Sequence, residues 1–242
     1  MLAIQTIDLE KRYKDICAVD KLNLEIQQGE LFALLGVNGA GKTTTVKMLT
    51  CLTQPTAGDA LVGGYSVIKE SDQVKQIIGV SPQETAVTPS LTVKENLELI
   101  CGIYGFSKAK IQSKLAELTE KFSLGEVMNR KAGKLSCGWQ RKVSIAMALI
   151  CEPSILFLDE PTLGLDVLAR HALWETICAI KGSVTVILTT HYMEEAEFLA
   201  DRIGIMKNGR LLTVGTVDEL NFAAGTNHFE SAFVSIIKGA EV

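Results

Sequence analysis

Eight consecutive residues of this chain, Gly36-Val37-Asn38-Gly39-Ala40-Gly41-Lys42-Thr43, have the spacing G-x-x-x-x-G-K-[ST], and each fixed position has a chemical reason. Glycines let the backbone wrap a polyphosphate so that successive N–H groups point inward, and a helix beginning at Lys42 adds the partial positive charge of its N-terminus. Lys42 is suited to bridge the β- and γ-phosphates. Thr43 is suited to give its hydroxyl to Mg²⁺, a hard cation that keeps oxygen ligands, and Thr44 follows it in the first helical turn. A second pair of groups, Asp159-Glu160, follows the apolar run Ile155-Leu-Phe-Leu158. In that place Asp159 can hold the metal, usually through water, and Glu160 can orient and polarise an attacking water. A third apolar run ends in Thr189-Thr190-His191, where the histidine reads on local grounds either as a structural side chain or as a further site group.

These residues need a scaffold that brings distant strand ends together. Leu31-Phe-Ala-Leu-Leu35 is a continuous apolar run, the mark of a strand buried on both faces, and it leads into the glycine-rich loop and a helix expected over 42–52. The runs at 155–158 and 184–189 each precede a helical pattern, so a parallel sheet with crossover helices is expected, with ligands at its carboxyl end. Segments 4–9 and 18–26 read as strands of an antiparallel edge, closed by a turn at Gln28-Gly29-Glu30. Residues 92–150 are helical in pattern, opened by the capping box Thr92-x-x-Glu95. Asn208-Gly209 between apolar runs predicts a hairpin, and a short helical tail follows. The expected fold is α/β, with a parallel-sheet core, an antiparallel β edge and a helical subdomain.

Composition narrows the function classes. The 242 residues are 47% hydrophobic and 21% charged, with a net charge of −4, which fits a globular enzyme and gives no general attraction to nucleic acid. The six cysteines form no C-x-x-C pair, which argues against structural zinc and for reduced, cytoplasmic thiols. The start shows neither a secretory signal nor a lipidation motif, and no stretch supplies the roughly 20 apolar residues of a spanning helix. A cytoplasmic location is expected, and any membrane role must come through a partner.

Beyond the phosphate loop, Leu135-Ser136-Cys137-Gly138-Trp139 resembles the signature of the nucleotide-binding domain of ATP-binding cassette (ABC) transporters. The likeness covers nearly the whole chain. It implies a P-loop NTPase core of the RecA-like type, with ATP as substrate and Mg²⁺ as cofactor. It implies further that Ser136 and Gly138, at the start of a helix over 138–150, bind the γ-phosphate of ATP held by an opposing subunit, as a helix N-terminus can. By the same resemblance Gln83 contacts Mg²⁺ or the water, His191 contacts the γ-phosphate, Gly164-Leu165-Asp166 communicates across a dimer, and Tyr13 stacks on adenine. The signature departs from the usual pattern at Cys137, where the family has glycine, and at Trp139. The segments 190–197 and 227–233 resemble the exporter branch tied to drug, lipid or polysaccharide efflux.

The resemblance implies one ABC ATPase domain over 1–242, with an α/β core from 1–82 and 153–220, a helical lobe from 83–152 and a tail from 221–242. It also implies a homodimer or heterodimer of such subunits and a separate transmembrane permease that holds the chain at the inner face of the membrane. Two other readings remain open: a soluble ABC-type ATPase outside transport, and a regulatory ATP-binding module with little turnover.

Overall fold

The computed structural model of the chain describes residues 1–239; positions 240–242 of the expected tail lie outside the described residues. Six strands form the central sheet in the order β10 (Arg210–Gly215), β9 (Arg202–Lys207), β3 (Leu31–Gly36), β8 (Thr185–Thr190), β7 (Ile155–Asp159), β6 (Ile78–Ser81). All neighbours run parallel except β9 and β10, which the Asn208-Gly209 turn joins with both residues at positive φ, 49° and 81°.

The continuous apolar runs are explained by what lies on each face. Leu31, Ala33 and Leu35 of β3, Leu156 and Leu158 of β7, and Val186 and Leu188 of β8 enter one apolar cluster with the helices. The alternate residues Phe32, Leu34, Ile155, Phe157 and Ile187 enter a second cluster under the antiparallel sheet. With period-2 side chains and both faces covered, no position on these strands is left for a polar residue until the strand ends.

The second sheet is antiparallel, in the order β2 (Ile16–Gln27), β1 (Leu2–Tyr13), β4 (Ala57–Val62), β5 (Tyr65–Ser66). Its first two strands are longer at both ends than the apolar alternation indicates, and they meet at a turn in which Lys14 has φ 50°. Alternation marks only the inward half of such a hairpin; its outer stretch, Glu10-Lys11-Arg12, has no apolar signal. The strand β4 has no sequence signature because it contains Gly58-Asp59. Gly58 (φ 71°) is needed there, since a Cβ would stand 2.1 Å from the Asp8 carbonyl.

The helix after the phosphate loop, α1 (Lys42–Leu49), stops before the expected end at Leu52. Cys51 turns into the left-handed region at φ 57°, and Leu52 emerges exposed. Helix α2 (Ser71–Ile77) leads into β6. Residues 92–150 form α3 (Val93–Ile103), α4 (Lys108–Lys121), two short 3₁₀ turns and α5 (Cys137–Leu149), which begins and ends one residue before the expected signature helix. The Thr92/Glu95 capping box is present. These helices share their apolar cluster with the sheet, and α5 is tied to the end of β6 by the Ser81–Ser144 hydroxyl pair at 2.9 Å. The crossovers α6 (Val167–Cys178) and α7 (Met193–Leu199) flank β8, and α8 (Val217–Ala223) and α9 (Phe229–Gly239) follow β10.

Candidate functional site

The parallel registers bring four strand ends level. Leu35 pairs with Thr190, Asp159 with Thr189 and Ser81 with Leu158, so the phosphate loop, the two carboxylates, the histidine and the Gln83 loop leave the same edge of the sheet. Nothing about their separation in sequence makes them neighbours; the strand order does.

At that edge the side chains touch. Lys42, 5% exposed, donates from Nζ to the Gly36 carbonyl at 2.7 Å and the Val37 carbonyl at 3.3 Å, and lies 3.3 Å from Glu160 Oε1. The other Glu160 oxygen is 2.6 Å from His191 Nδ1, a contact that a carboxylate makes when Nδ1 carries the proton. Thr43 Oγ1 donates to Asp159 Oδ1 at 3.1 Å. Glu160 adopts the left-handed φ of 48°, unusual for a residue with a side chain. It is held there because its N–H donates both to the Thr189 carbonyl at 3.1 Å and to Thr189 Oγ1 at 3.0 Å. Such strain persists where its surroundings over-determine it, and functional sites are where it gathers.

These groups border a cleft of about 610 Å³, within the range of small-ligand sites. Asn38, Gly39, Ala40, Gly41, Lys42, Thr43, Thr44, Gln83, Glu160 and His191 line it. Gly36 lies just behind, its carbonyl occupied by Lys42, and Asp159 is reached through Thr43. The glycines fit a polyphosphate cradle: Gly39 and Gly41 have φ 80° and 104°, and a Cβ on Gly41 would stand 2.5 Å from the Ala18 carbonyl. The donor set fits Mg²⁺ as well. Among the described residues no cluster of three His, Cys, Asp or Glu could cage a metal alone, but Thr43 with Asp159 offers two hard oxygens to a cation that takes its remaining ligands from phosphate and water.

Besides Gly36 and Asp159, which adjoin the cleft through Lys42 and Thr43, three expected residues fall outside it. Tyr13, at the end of β1, is 45% exposed with Lys11 Nζ 5.0 Å from its ring centroid, and Ile16, Cys17 and Ala18 border the cleft in its place. Ser136 and Gly138 lie at the start of α5, where Ser136 is the exposed N-cap with no side-chain capping bond. The loop that carries Gln83 is linked to that helix, since Arg141 of α5 donates to the Pro82 carbonyl at 3.0 Å. The Asp166 side chain caps α6 by accepting from the Ala169 N–H at 2.9 Å.

Sequence reasoning missed Thr189. Its hydroxyl is fully buried, donates to Asp159 Oδ1 at 2.5 Å and accepts the Glu160 N–H, so one threonine holds the Asp159 carboxylate and the Glu160 backbone. The available signal was a hydroxyl at the polar end of a buried strand. Arg141 was missed too, because a basic residue in a helix gives no sign of burial.

The chain is similar to known proteins along most of its length. The family profile described as ABC transporter matches residues 19–163. The doxorubicin resistance ATP-binding protein DrrA of Mycobacterium tuberculosis is 41% identical over 216 residues, which is 89% of this chain. The chain spans 65% of that relative's length. Among solved structures, the ATP binding subunit of an ABC transporter superposes with a TM-score of 0.85 at 30% identity, covering 97% of this chain and 99% of that one. A bacterial ABC transporter cassette in dimeric form superposes with a TM-score of 0.78 at 28% identity, over 88% of this chain and 98% of the other. The phosphate loop, the level carboxylates and a profile match covering more than half of the sequence lead to one conclusion: the chain belongs to the ABC transporter family.

Proposed function

We propose that the chain binds and hydrolyses ATP and thereby powers export across a membrane through a separate transmembrane subunit. The observation that carries this reading is the contact of Glu160 with both Lys42 and His191 beside the Thr43–Asp159 pair. Phosphoryl transfer demands mainly positioning and charge neutralisation, and these five side chains supply both. The phosphate-loop amides and Lys42 bind the polyphosphate, whose oxygens compete with Glu160 for the same ammonium. Glu160, released toward water, orients and accepts a proton from the nucleophile, while His191 keeps the carboxylate in place. Thr43 and Asp159, with Gln83 at the rim, would hold Mg²⁺, which supplies charge neutralisation on the phosphates.

Ser136 and Gly138 do not line the chain's own cleft, and an exposed helix N-terminus is suited to an anion. This supports a head-to-tail dimer, homomeric or heteromeric, in which each signature closes the other subunit's site. The dimeric cassette among the similar structures and the drug-resistance relative support the dimer and the export role in turn. No helix among the described residues is long and apolar enough to cross a membrane, so a permease partner at the inner face is part of the proposal. The helical lobe over 83–152, tied to the Gln83 loop by Arg141, is the part suited to pass motion to it.

The test is ATPase activity of the purified chain and its Glu160→Gln variant against protein concentration and Mg²⁺. Mg²⁺-dependent turnover rising faster than linearly with concentration, and falling about a hundredfold or more in the variant, is expected. A variant that turns over like the parent, or that stays monomeric with ATP bound, overturns the reading.

A further inference from the structure

A second buried polar group lies behind the site and takes no part in the chemistry above. Glu195, on the inner face of α7, is 0% exposed. Its Oε1 accepts the indole N–H of Trp174, itself 3% exposed on α6, at 3.0 Å. Its Oε2 has no hydrogen-bond partner, nor have two other buried atoms nearby, Thr162 Oγ1 and Arg170 Nε. The Arg170 guanidinium is turned instead toward the Tyr192 ring, 4.4 Å from its centroid, and toward Glu194 at 3.7 Å. Thr190, Thr162 and Arg170 are close enough to favour the charged form of the Glu195 carboxyl, against the stronger opposing effect of its burial.

The segments that meet here are the ones that carry the site. Thr162 belongs to the loop leaving Glu160, Thr190 precedes His191, and Arg170 and Trp174 are on the helix that Asp166 caps. Thr190 Oγ1 accepts the Tyr192 N–H at 3.0 Å, and the Ala196 N–H donates to the Tyr192 carbonyl, so a shift of α7 is passed to the backbone on both sides of His191. We propose that Glu195 is a positioning residue: by joining α7 to Trp174 beneath Thr162 and Thr190, it sets the distance between His191 and Glu160 and couples it to the Asp166 loop. Burial raises this carboxyl above the usual range and so favours its protonated form, which accepts from the indole at one oxygen and carries a donor at the other. Its hydrogen bond goes to Trp174 and not to the phosphate loop, so its influence falls on turnover and spares nucleotide binding.

This inference rests on the hydrolytic reading, and one set of measurements separates the two. Steady-state kinetics and thermal melts are compared for the parent chain, Glu160→Gln, Glu195→Met and Glu195→Gln. Methionine fills the volume without a polar group, and an apolar replacement of a buried polar network commonly folds well. Glu195→Met is expected to lower kcat about tenfold while KM for ATP stays within about twofold, and Glu195→Gln to recover most of the turnover. Trp174→Phe, which removes only the donor, is expected to fall between them; a parental kcat there overturns the coupling through the indole. If the parent turns over and Glu195→Met matches it, the inference fails while the function stands; so it does if KM rises with kcat unchanged, or if glutamine rescues nothing. If the parent itself shows no turnover beyond Glu160→Gln, the hydrolytic reading fails and takes the inference with it.

Discussion

Replacing Thr189 by valine removes one hydroxyl and leaves the shape of the side chain almost unchanged, so its effect isolates the hydrogen bonds. The hydroxyl donates to Asp159, only 5% exposed, at 2.5 Å. A hydrogen bond to a charged group contributes about 1.5–3 kcal/mol net, and a buried acceptor stripped of its donor pays for its desolvation. Asp159 keeps Thr43 Oγ1, and the Glu160 N–H keeps the Thr189 carbonyl, so the loss stays near that one bond. We expect Thr189→Val to be destabilised by about 2–3 kcal/mol, which for a domain of this size lowers Tm by about 4–12 °C. The Glu160 backbone, at φ 48°, also loses one of the two acceptors that hold it, so kcat is expected to fall about tenfold with ATP binding retained. Thr189→Ser keeps both bonds and loses one methyl group, about 0.8 kcal/mol of burial, and retains turnover. The assays are calorimetry and ATPase kinetics on the three proteins. A valine variant as stable and active as the parent would falsify the assignment of the Asp159 carboxylate and the Glu160 backbone to this hydroxyl.

Two further outcomes follow from the same geometry. Gly41→Ala carries both a left-handed φ of 104° and a Cβ 2.5 Å from the Ala18 carbonyl, whereas Gly39→Ala carries only the φ of 80° with open space around it. Left-handed strain costs about 1–3 kcal/mol, so Gly39→Ala weakens binding of a fluorescent ATP analogue modestly and Gly41→Ala far more; equal losses would show that contact with Ala18 does not shape the loop. Burial raises the Glu195 carboxyl above the usual range, against the hydroxyls of Thr190 and Thr162, the Trp174 indole and Arg170, the charged group that faces it and that pairs in turn with Glu194. The folded state therefore holds a proton that the unfolded chain releases near pH 4.3, about the free glutamate value, and this group's contribution falls as pH rises from there toward the folded value. Urea unfolding from about pH 5 to about pH 8 should show the stability of Glu195→Gln gaining on the parent as pH rises; a constant difference between the two curves refutes the raised carboxyl.

Much of this protein was legible before folding because the chemistry is local. The phosphate loop needs eight neighbouring residues, the Thr92/Glu95 box needs four, and Asn208-Gly209 needs two; short-range geometry decides each. The buried strands β3, β7 and β8 announced themselves by apolar runs ending in the glycine-rich loop or in polar groups, since a strand covered on both faces tolerates nothing else. Signals failed where one face of an element is solvent, as in the outer half of the β1–β2 hairpin, and where a strand exists only because a neighbour pairs with it, as β4 does.

What folding alone decided is which of these local pieces meet. The strand order sets Lys42, Glu160 and His191 in contact and joins one threonine to the Asp159 carboxylate and the Glu160 backbone, because parallel register is a property of the sheet and not of any segment. It also chose between Glu194, with its side chain 80% exposed, and Glu195, at 0%. In an acidic run on a helix of seven residues, the turns are too few for periodicity to name the inward face, so only packing against Trp174 decides it.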